Sequence, residues 1–585
     1  MAFQVSPGVA VSEIDLTTSI PAVSFSTGAI AGYFSWGPAL VPTQVSSETQ
    51  LLQIFGRPTP NSAGSFISAA NFLAYGNDLR VTRVQASGAT NAVANTAVGS
   101  VVIPNEQSYQ LNQYSTATNN PFTARYLGSL GNALEVVVFN AKNWTANTIS
   151  STDPLYQYAT TFDYAPSTSP YAVSKGAAGA NDEVHVVIVD RTGQITGTPG
   201  GILEKYPHLS VLLDAKAPDG SANYYKEVLF QKSKWIHWTG HPVANANPVN
   251  WGNTIAQYLT SSTTLALDTT PYVANLSTGT SGVVATANVI DGYNTFSNTE
   301  AIDVSLIMAG DLCGFLTAGD ATDAVTLTST VIQTAENRAD AVALVSPMLA
   351  NVQTSTGVET SVTNFASAVY ASSYAIMDSG WKYQYDKYAD TYRWIPLNAD
   401  VAGLCARTDY ERDPWYSPAG LNRGSIKNLV RLAFNPSKTQ RDTLYKAGVN
   451  PVVSFPGEGT VLFGDKTLQN RPSAFDRINV RRLFIVLEKA ISRAARGSLF
   501  EFNDDFTRSQ FVNLVEPFLR TVQGRRGIYN YRVVCDGTNN TPAIIDANAF
   551  VGDIYIQPAK SINFIQLNFI ATRTGVSFDE IVGKF

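Results

Sequence analysis

The chain is poor in the side chains that do chemistry. Its 585 residues include three cysteines and four histidines. Cys313, Cys405 and Cys535 lie far apart, which excludes a disulfide framework of closely spaced cysteines and a zinc cluster, and leaves reduced, buried thiols. Charged residues make up only 15% of the chain, and no long basic run occurs, so the electrostatic footprint of nucleic-acid binding is missing. No run of about 18 apolar residues suggests a membrane span. The opening MAFQVSPGVA lacks the basic start and apolar core of a secretory signal.

What is present is a foldable, lightly charged chain, 44% hydrophobic and rich in Gly, Ser, Thr, Asn and Ala. It is too long for one core, so three or four domains are expected. So little surface charge hints at a protein that covers itself with other protein. The net charge of −6 is unevenly spread. Arg471–Phe585 holds fifteen basic and eleven acidic residues, a net +4 that leaves −10 on the remainder. A positive end on a negative body helps copies stack, within the reach that salt screening allows.

The first twenty residues read as extended. Val9, Val11 and Glu13 alternate with Ala10 and Ser12, Pro7-Gly8 forbids an early helix, and no hairpin partner follows. About 18 extended residues span roughly 60 Å, enough to reach a neighbouring molecule. From Gly28 to Val84 the pattern is α/β: a strand GAIAGYF, a helix SETQLLQIF closed by Gly56, a helix near Ser65–Tyr75 and a strand LRVTRV. A segment of low charge, Ala86 to Tyr171, reads as an inserted, surface-facing β domain. The strand VHVVIVD (Val184–Asp190) reads as a return to the core, followed by strands DVSLIMAG and AVALVSP around a helix VIQTAENRAD. This alternation predicts an α/β sheet with helices on its faces.

The last third is the most regular. Val480, Leu483, Phe484, Leu487, Ile491 and Ala494 share one helical face, with Gly497 as the stop. Arg482, Lys489, Arg493 and Arg496 form a basic stripe beside it. A second helix starts at Asn503 or Asp504 and buries Phe511, Val515, Phe518 and Val522; Pro517 within it predicts a kink or a shortened helix. Strands YRVVCD, AFVGDIYIQP and INFIQLNFIA follow.

None of the possible sites meets the requirements of its chemistry. NPVVSFPGEGTVLFGDKTL (Asn450–Leu468) carries glycines and Lys-Thr, but Gly464 is followed by Asp465 where a Walker loop needs Lys. Pro456 and Gly457 fit a turn instead. His237 and His241 have zinc-like spacing but Trp-Thr-Gly between them and Pro242 after, so two partly exposed histidines beside Trp235 and Trp238 are the simpler reading. Asp504 and Asp505 are adjacent at a helix start, where capping is expected, not paired acid–base work. Arg525 and Arg526 suit a helix C-terminus as well as a phosphate. No Gly-x-Ser-x-Gly elbow occurs. No catalytic, cofactor-binding or metal-ligating residue is assigned, and no cofactor is expected.

Several patches, in order along nearly the whole chain, resemble the contractile tail sheath proteins of myovirus-type bacteriophages, a family related to the sheaths of contractile bacteriocins and type VI secretion systems. They are SPGVAVSEID (Ser6–Asp15), TGAIAGYFSWGPALVPTQVSSETQLLQIFG (Thr27–Gly56), ARYLGSLGNALEVVV (Ala124–Val138), AGLCARTDYERDPWYSPAG (Ala402–Gly420), GVNPVVSFPGEGTVLFGDKTL (Gly448–Leu468), RINVRRLFIVLEKAI (Arg477–Ile491), FEFNDDFTRSQFVNLVEPFL (Phe500–Leu519) and CDGTNNT (Cys535–Thr541). Leu127 and Leu130 replace the family's usual Pro and Trp, and Phe463–Leu468 departs from its WGARTL.

The resemblance implies a structural, non-enzymatic subunit of a virion tail, assembled in the host cytoplasm. Its partners would be further copies of itself in helical rings, the tail tube protein, and baseplate and tail terminator proteins, without nucleic acid or membrane insertion. Residue patterns and resemblance together give a multidomain α+β or α/β fold: an N-terminal β-arm (1–20), a middle α/β domain (21–85 and 181–375), an inserted β-rich outer domain (86–180), a C-terminal α/β core domain (376–560) and a C-terminal β-arm (561–585). The arms, through Phe3, Val5, Val9, Val11 and Ile14 and through Ile562, Phe564, Leu567 and Phe569, would add strands to neighbouring subunits. Arg482, Lys489, Arg493 and Arg496 are the candidate contact with the tube or an adjacent subunit. The alternatives are a tube or surface-layer shell that polymerises without shortening, and a β-rich hydrolase or glycan-binding tail component, for which no paired carboxylates are found.

Overall fold

The computed structural model describes residues 25–563 apart from 96, 98, 116–117, 119, 145–152, 243–249, 262–264, 266, 313–319 and 355. The short apolar strands of the sequence meet in one seven-stranded sheet. Its order is Val449–Asn450, Ala375–Asp378, Val342–Val345, Leu306–Met308, Gly28–Gly32, Leu79–Arg83, Thr43–Val45. All neighbours are parallel except the last pair. Parallel strands need crossovers, and the helices that make them cover both faces. On one face Ala29, Ile307 and Ala343 pack under helix Ala321–Arg338 through Leu327, Val331 and Ile332. On the other, Ile30, Met308 and Leu344 pack under helices Ala63–Leu73 and Asn398–Glu411. The period-two alternation of GAIAG along one strand feeds both layers.

Two expected boundaries move. Val184–Asp190 does not return to this sheet. The strand Glu183–Asp190 pairs antiparallel with Leu134–Asn140 and Gly201–Ser210 in a separate four-stranded sheet closed by Tyr272–Asn275. The insertion enters at Ser87 and leaves at Val283, where the two crossing segments pair with each other. An all-apolar strand looks the same whether both its faces are buried by helices or by a second β core, so VHVVIVD carried no mark of its owner. The division at 375/376 also fails, because it cuts the strand Ala375–Asp378 in the middle of the shared sheet.

Arg83 fastens insertion to core. Its buried guanidinium donates to the carbonyls of Phe34 (3.0 Å), Gly37 (2.8 Å) and Leu127 (2.7 Å). Buried polar groups also cluster beyond the strand ends. Asp378 accepts from Ser346 Oγ (2.6 Å) and from the Gly380 amide (2.9 Å), and burial pushes its carboxyl up to about 8. The folded state therefore holds a proton that the unfolded chain gives up above the ordinary carboxyl range. This contribution is present in full at low pH and is lost as pH rises through about 8. Asp378→Asn is expected to flatten the decline: the variant gains on the parent by up to about 1.4 kcal/mol per pH unit within that window. Urea midpoints at pH 5 and pH 8 check it, and an unchanged gap between the two proteins at both values counts against it.

The C-terminal layer sits on the core through helix Ile478–Ala495. Ile478 and Ile485 face the core sheet, while Leu483, Leu487 and Ile491 face helix Asp505–Gly524 and the strands Ile528–Val534 and Asp553–Pro558. Asp504 caps the second helix by accepting from the Thr507 amide at 2.8 Å. Pro517 does not shorten that helix, which runs unbroken through it. The proline lies on the exposed side, as does Asn513, whose carbonyl loses its amide partner where solvent can reach it. FPGEG is the turn of a hairpin between Val452–Phe455 and Gly459–Leu462, with Gly457 and Gly459 at φ of 83° and 84°.

Candidate assembly surface

Met1–Ile14, with Phe3, Val5, Val9, Val11 and Ile14, and the C-terminal residues Phe564, Leu567 and Phe569 lie outside the described residues. Of the C-terminal arm expected from the sequence, Ser561–Asn563 are described. The Asn479 side chain donates to the Ala559 carbonyl (3.1 Å), and Ser561 Oγ donates to Asp465 Oδ2. Asp465 is buried and also accepts from Arg477 Nη1 and Tyr445 Oη, each at 3.0 Å. With its side-chain oxygen turned toward it, Asn563 accepts from Arg477 Nη2 (3.1 Å). The aspartate that spoils the phosphate-loop pattern thus clamps Ser561. Ile562 stands exposed between the two clamps.

Just before that segment, Ile528–Val534 and Asp553–Pro558 form a two-stranded antiparallel sheet. One face rests on helix Asp505–Gly524 through Ile528, Val533, Ile554 and Ile556. Among the described residues neither outer edge has a strand partner. An open edge presents unpaired amides and carbonyls and is a template for an added strand.

Beside the arm root lies an open groove with a cavity of about 700 Å³. Its walls mix Trp415, Tyr416 and Phe463 with Arg423, Arg441 and Lys560. The Arg423 guanidinium lies over Tyr416 and that of Arg441 over Phe463, at 5.6 and 5.9 Å from the ring centroids. These residues come from loops and from helix Lys438–Lys446, distant in sequence, so no local motif announces the groove.

The basic stripe is not an open surface. Arg482 is buried and paired with Asp409 of helix Asn398–Glu411 at 2.5 Å. Helix Ile478–Ala495 is buried on two sides, so Arg482 on its flank meets a neighbouring helix before it meets solvent. Lys489 pairs with Asp303, and Arg493 reaches the same carboxylate at 3.2 Å. Arg493 and Arg496 remain exposed. Immediately beyond Arg496, Leu499, Phe500, Phe502 and Phe506 are all exposed, with Phe500 in the left-handed region at φ 70°. Four large apolar side chains in eight residues are more than a soluble surface ordinarily shows.

The remaining sequence candidates are structural. His237 is buried, not partly exposed, and stacks on Tyr109 with ring centroids 3.9 Å apart; burial holds it neutral. His241 accepts from or donates to Tyr225 Oη at 2.6 Å within a cluster of Trp238 and Trp251. Arg525 pairs with Asp413 at 3.0 Å. Cys405 and Cys535 are free, buried thiols. Among the described residues no group of three or more His, Cys, Asp or Glu is placed to hold a metal ion, and no helix is long and apolar enough to cross a membrane. Among the described residues, a two-stranded sheet without further strand partners, the clamped segment Ser561–Asn563 and the groove lie side by side.

The chain belongs to the phage tail sheath proteins, and it is a structural subunit of a contractile tail. "Phage tail sheath protein central domain" matches residues 267–468, "Phage tail sheath C-terminal domain" residues 470–572, and "Tail sheath protein Gp18 domain III N-terminal region" residues 26–84. The gap between the third match and the first holds most of the inserted β domain; its last strand, Tyr272–Asn275, falls within the first match. The tail sheath protein of Enterobacteria phage T4 is 34% identical over 99% of both chains, and that of Vibrio phage KVP40 is 35% identical over 99% of both. Crystal structures of sheath tail proteins from Listeria innocua (TM-score 0.52, 11% identity, 93% of this chain and 94% of that one) and Desulfitobacterium hafniense (TM-score 0.51, 14% identity, 95% and 97%) share the fold.

Proposed function

We propose that this subunit polymerises as stacked helical rings around a tail tube and shortens to drive the tube through the host envelope. The observation that carries this beyond family membership is the two-stranded sheet whose edges have no strand partner among the described residues, set beside the clamped segment Ser561–Asn563. Arms Phe3–Ile14 and Ile562–Ile570 add strands to such sheets on neighbouring copies. Each added main-chain hydrogen bond contributes roughly 0.5–1.5 kcal/mol, and buried apolar side chains about 25 cal/mol per Å². The joints stay paired while the rigid α/β bodies swing about the linkers, so contraction is a change between two packings of unchanged subunits. The energy resides in the assembled, extended packing, and no catalysis or cofactor is required.

Arg482 takes no part in contact with the tube, being buried within the subunit. The exposed Arg493 and Arg496, continued by the apolar knob Leu499–Phe506, form the surface that meets the tube or an adjacent subunit. Baseplate and tail terminator proteins would bound the polymer at its two ends, and assembly would take place in the host cytoplasm. Electron microscopy of the purified protein tests the reading. Ringed helical tubes are expected in two states that differ in pitch and diameter. Tubes of a single fixed geometry would indicate a shell that does not contract, and monodisperse monomers at high concentration would contradict assembly.

A further inference from the structure

We propose that the groove beside the arm root is the socket for the acidic part of the N-terminal arm of a neighbouring copy, with Glu13 and Asp15 held by its cations. This rests on the reading of Met1–Ile14 as an inter-subunit arm and adds where that arm is seated. Three observations converge on it.

The first is unused positive charge. The groove is lined by Arg423, Lys438, Arg441, Arg526 and Lys560 against two carboxylates, Asp442 and Asp465. Asp465 already serves Arg477, Tyr445 and Ser561. Among the described residues none of the five cations has a carboxylate within ion-pair distance. Arg423 instead donates to the Ser417 carbonyl (2.9 Å), and Arg441 lies over Phe455 and Phe463. Five cations against Asp442 and the committed Asp465 leave the concave site with an excess of positive charge, which is electrostatically costly, and an anionic occupant relieves that cost.

The second is the charge of the arm. The first lysine or arginine of the chain is Arg57, so Met1–Ser24 carries Glu13 and Asp15 and no basic side chain. Residues 13 and 15 share one face of an extended segment, with Val9 and Val11 on the same face. A segment with apolar residues followed by two carboxylates on one side matches a groove that mixes Trp415, Tyr416 and Phe463 with arginines. Arg423 gives Nε to the Ser417 carbonyl and Arg441 gives Nη1 to the Pro436 carbonyl, which leaves the other guanidinium donors for carboxylates.

The third is place. The groove includes Ala559–Asn563, where the C-terminal arm leaves, and Arg526, at the foot of the open-edged sheet. A strand added to that sheet runs into the groove at one end, so a single arm can make main-chain bonds with the sheet and ion pairs with the socket.

Charge reversal in full-length protein tests this. The groove variant is Arg423→Glu with Arg441→Glu, and the arm variant is Glu13→Lys with Asp15→Lys. Each alone is expected to lose at least ~10-fold in the polymer pelleted at a fixed protein concentration, and the fourfold variant to recover it. A mixture of the groove variant and the arm variant is expected to polymerise although neither does alone, because each arm then meets a complementary groove on the other chain. Failure of the mixture with success of the fourfold variant would show that each arm occupies its own subunit's groove, which overturns the proposal. Normal polymerisation of the groove variant, with an arm deletion still failing, would overturn the socket and leave the arm reading intact. Normal polymerisation of both the groove variant and the arm deletion would overturn both. Should Arg423→Glu with Arg441→Glu fail to fold, Lys438→Glu with Lys560→Glu replaces it. Both lysines are exposed, and the same outcomes decide the matter.

Discussion

Removal of Met1–Ile14 should leave a folded monomer that no longer polymerises. The seven-stranded sheet, whose first strand in the chain begins at Gly28, is covered on both faces by helices of the described residues. The arm is therefore expected to contribute little to the stability of its own subunit, and the melting temperature of the monomer should stay where it was. Its contribution is to the polymer. About six strand hydrogen bonds at roughly 0.5–1.5 kcal/mol each make several kcal/mol per joint. At about 1.4 kcal/mol per tenfold, their loss raises the concentration needed for polymerisation by at least ~100-fold. Pelleting assays across a concentration series read this directly. Polymer at the parental concentration would mean that the arm is not the joint.

Lys382→Met should be among the most damaging single substitutions in the core. Lys382 Nζ and Asp400 Oδ1 are 2.9 Å apart, and both side chains are completely buried. Nζ also donates to the Lys427 carbonyl (3.0 Å), and Tyr75 Oη donates to Asp400 Oδ1 (3.1 Å). Burial pushes the Asp400 carboxyl up and the Lys382 ammonium down, and each partner opposes the shift of the other. With the ammonium gone, Asp400 is a buried charge with no counter-ion, which costs roughly 3–5 kcal/mol. A pair of apolar residues in the same space avoids that cost, so Lys382→Met with Asp400→Leu should recover most of the loss. Denaturant midpoints of the two variants give the comparison. A single variant that loses less than about 1 kcal/mol would contradict the account of this pair.

The parts of the fold legible in the sequence were those in which local pattern and tertiary role agree. Ser47 and Gly56 bracket a helix because one accepts from the Gln50 amide and the other takes φ 76°. Asp504, one of the two starts the sequence offered, caps by accepting from the Thr507 amide. Leu483, Leu487 and Ile491 read as a buried stripe because they are one. The failures share a cause: the deciding partner is far along the chain. VHVVIVD needed Leu134–Asn140 to show its allegiance. The basic stripe needed Asp409 and Asp303, neither of which is near Arg482 or Lys489 in sequence, and His237 needed Tyr109 to be seen as buried. The groove was invisible for the same reason, although its charge could have been suspected from the contrast between a positive C-terminal stretch and an N-terminus without a single basic residue before Arg57. Pro517 teaches the converse. Its helix survives because the lost bond faces water, a fact fixed by which side of the helix is buried and not by the proline.

The central claim is that identical subunits are stitched together by exchanged terminal strands, so that mechanical work comes from repacking. A helical reconstruction of the assembled particle at a resolution that traces the main chain tests it most directly. The account predicts residues near Phe3–Ile14 and Ile562–Ile570 lying as strands along Ile528–Val534 or Asp553–Pro558 of other subunits. Both termini folded back on their own chain, with every sheet closed within one subunit, would contradict it.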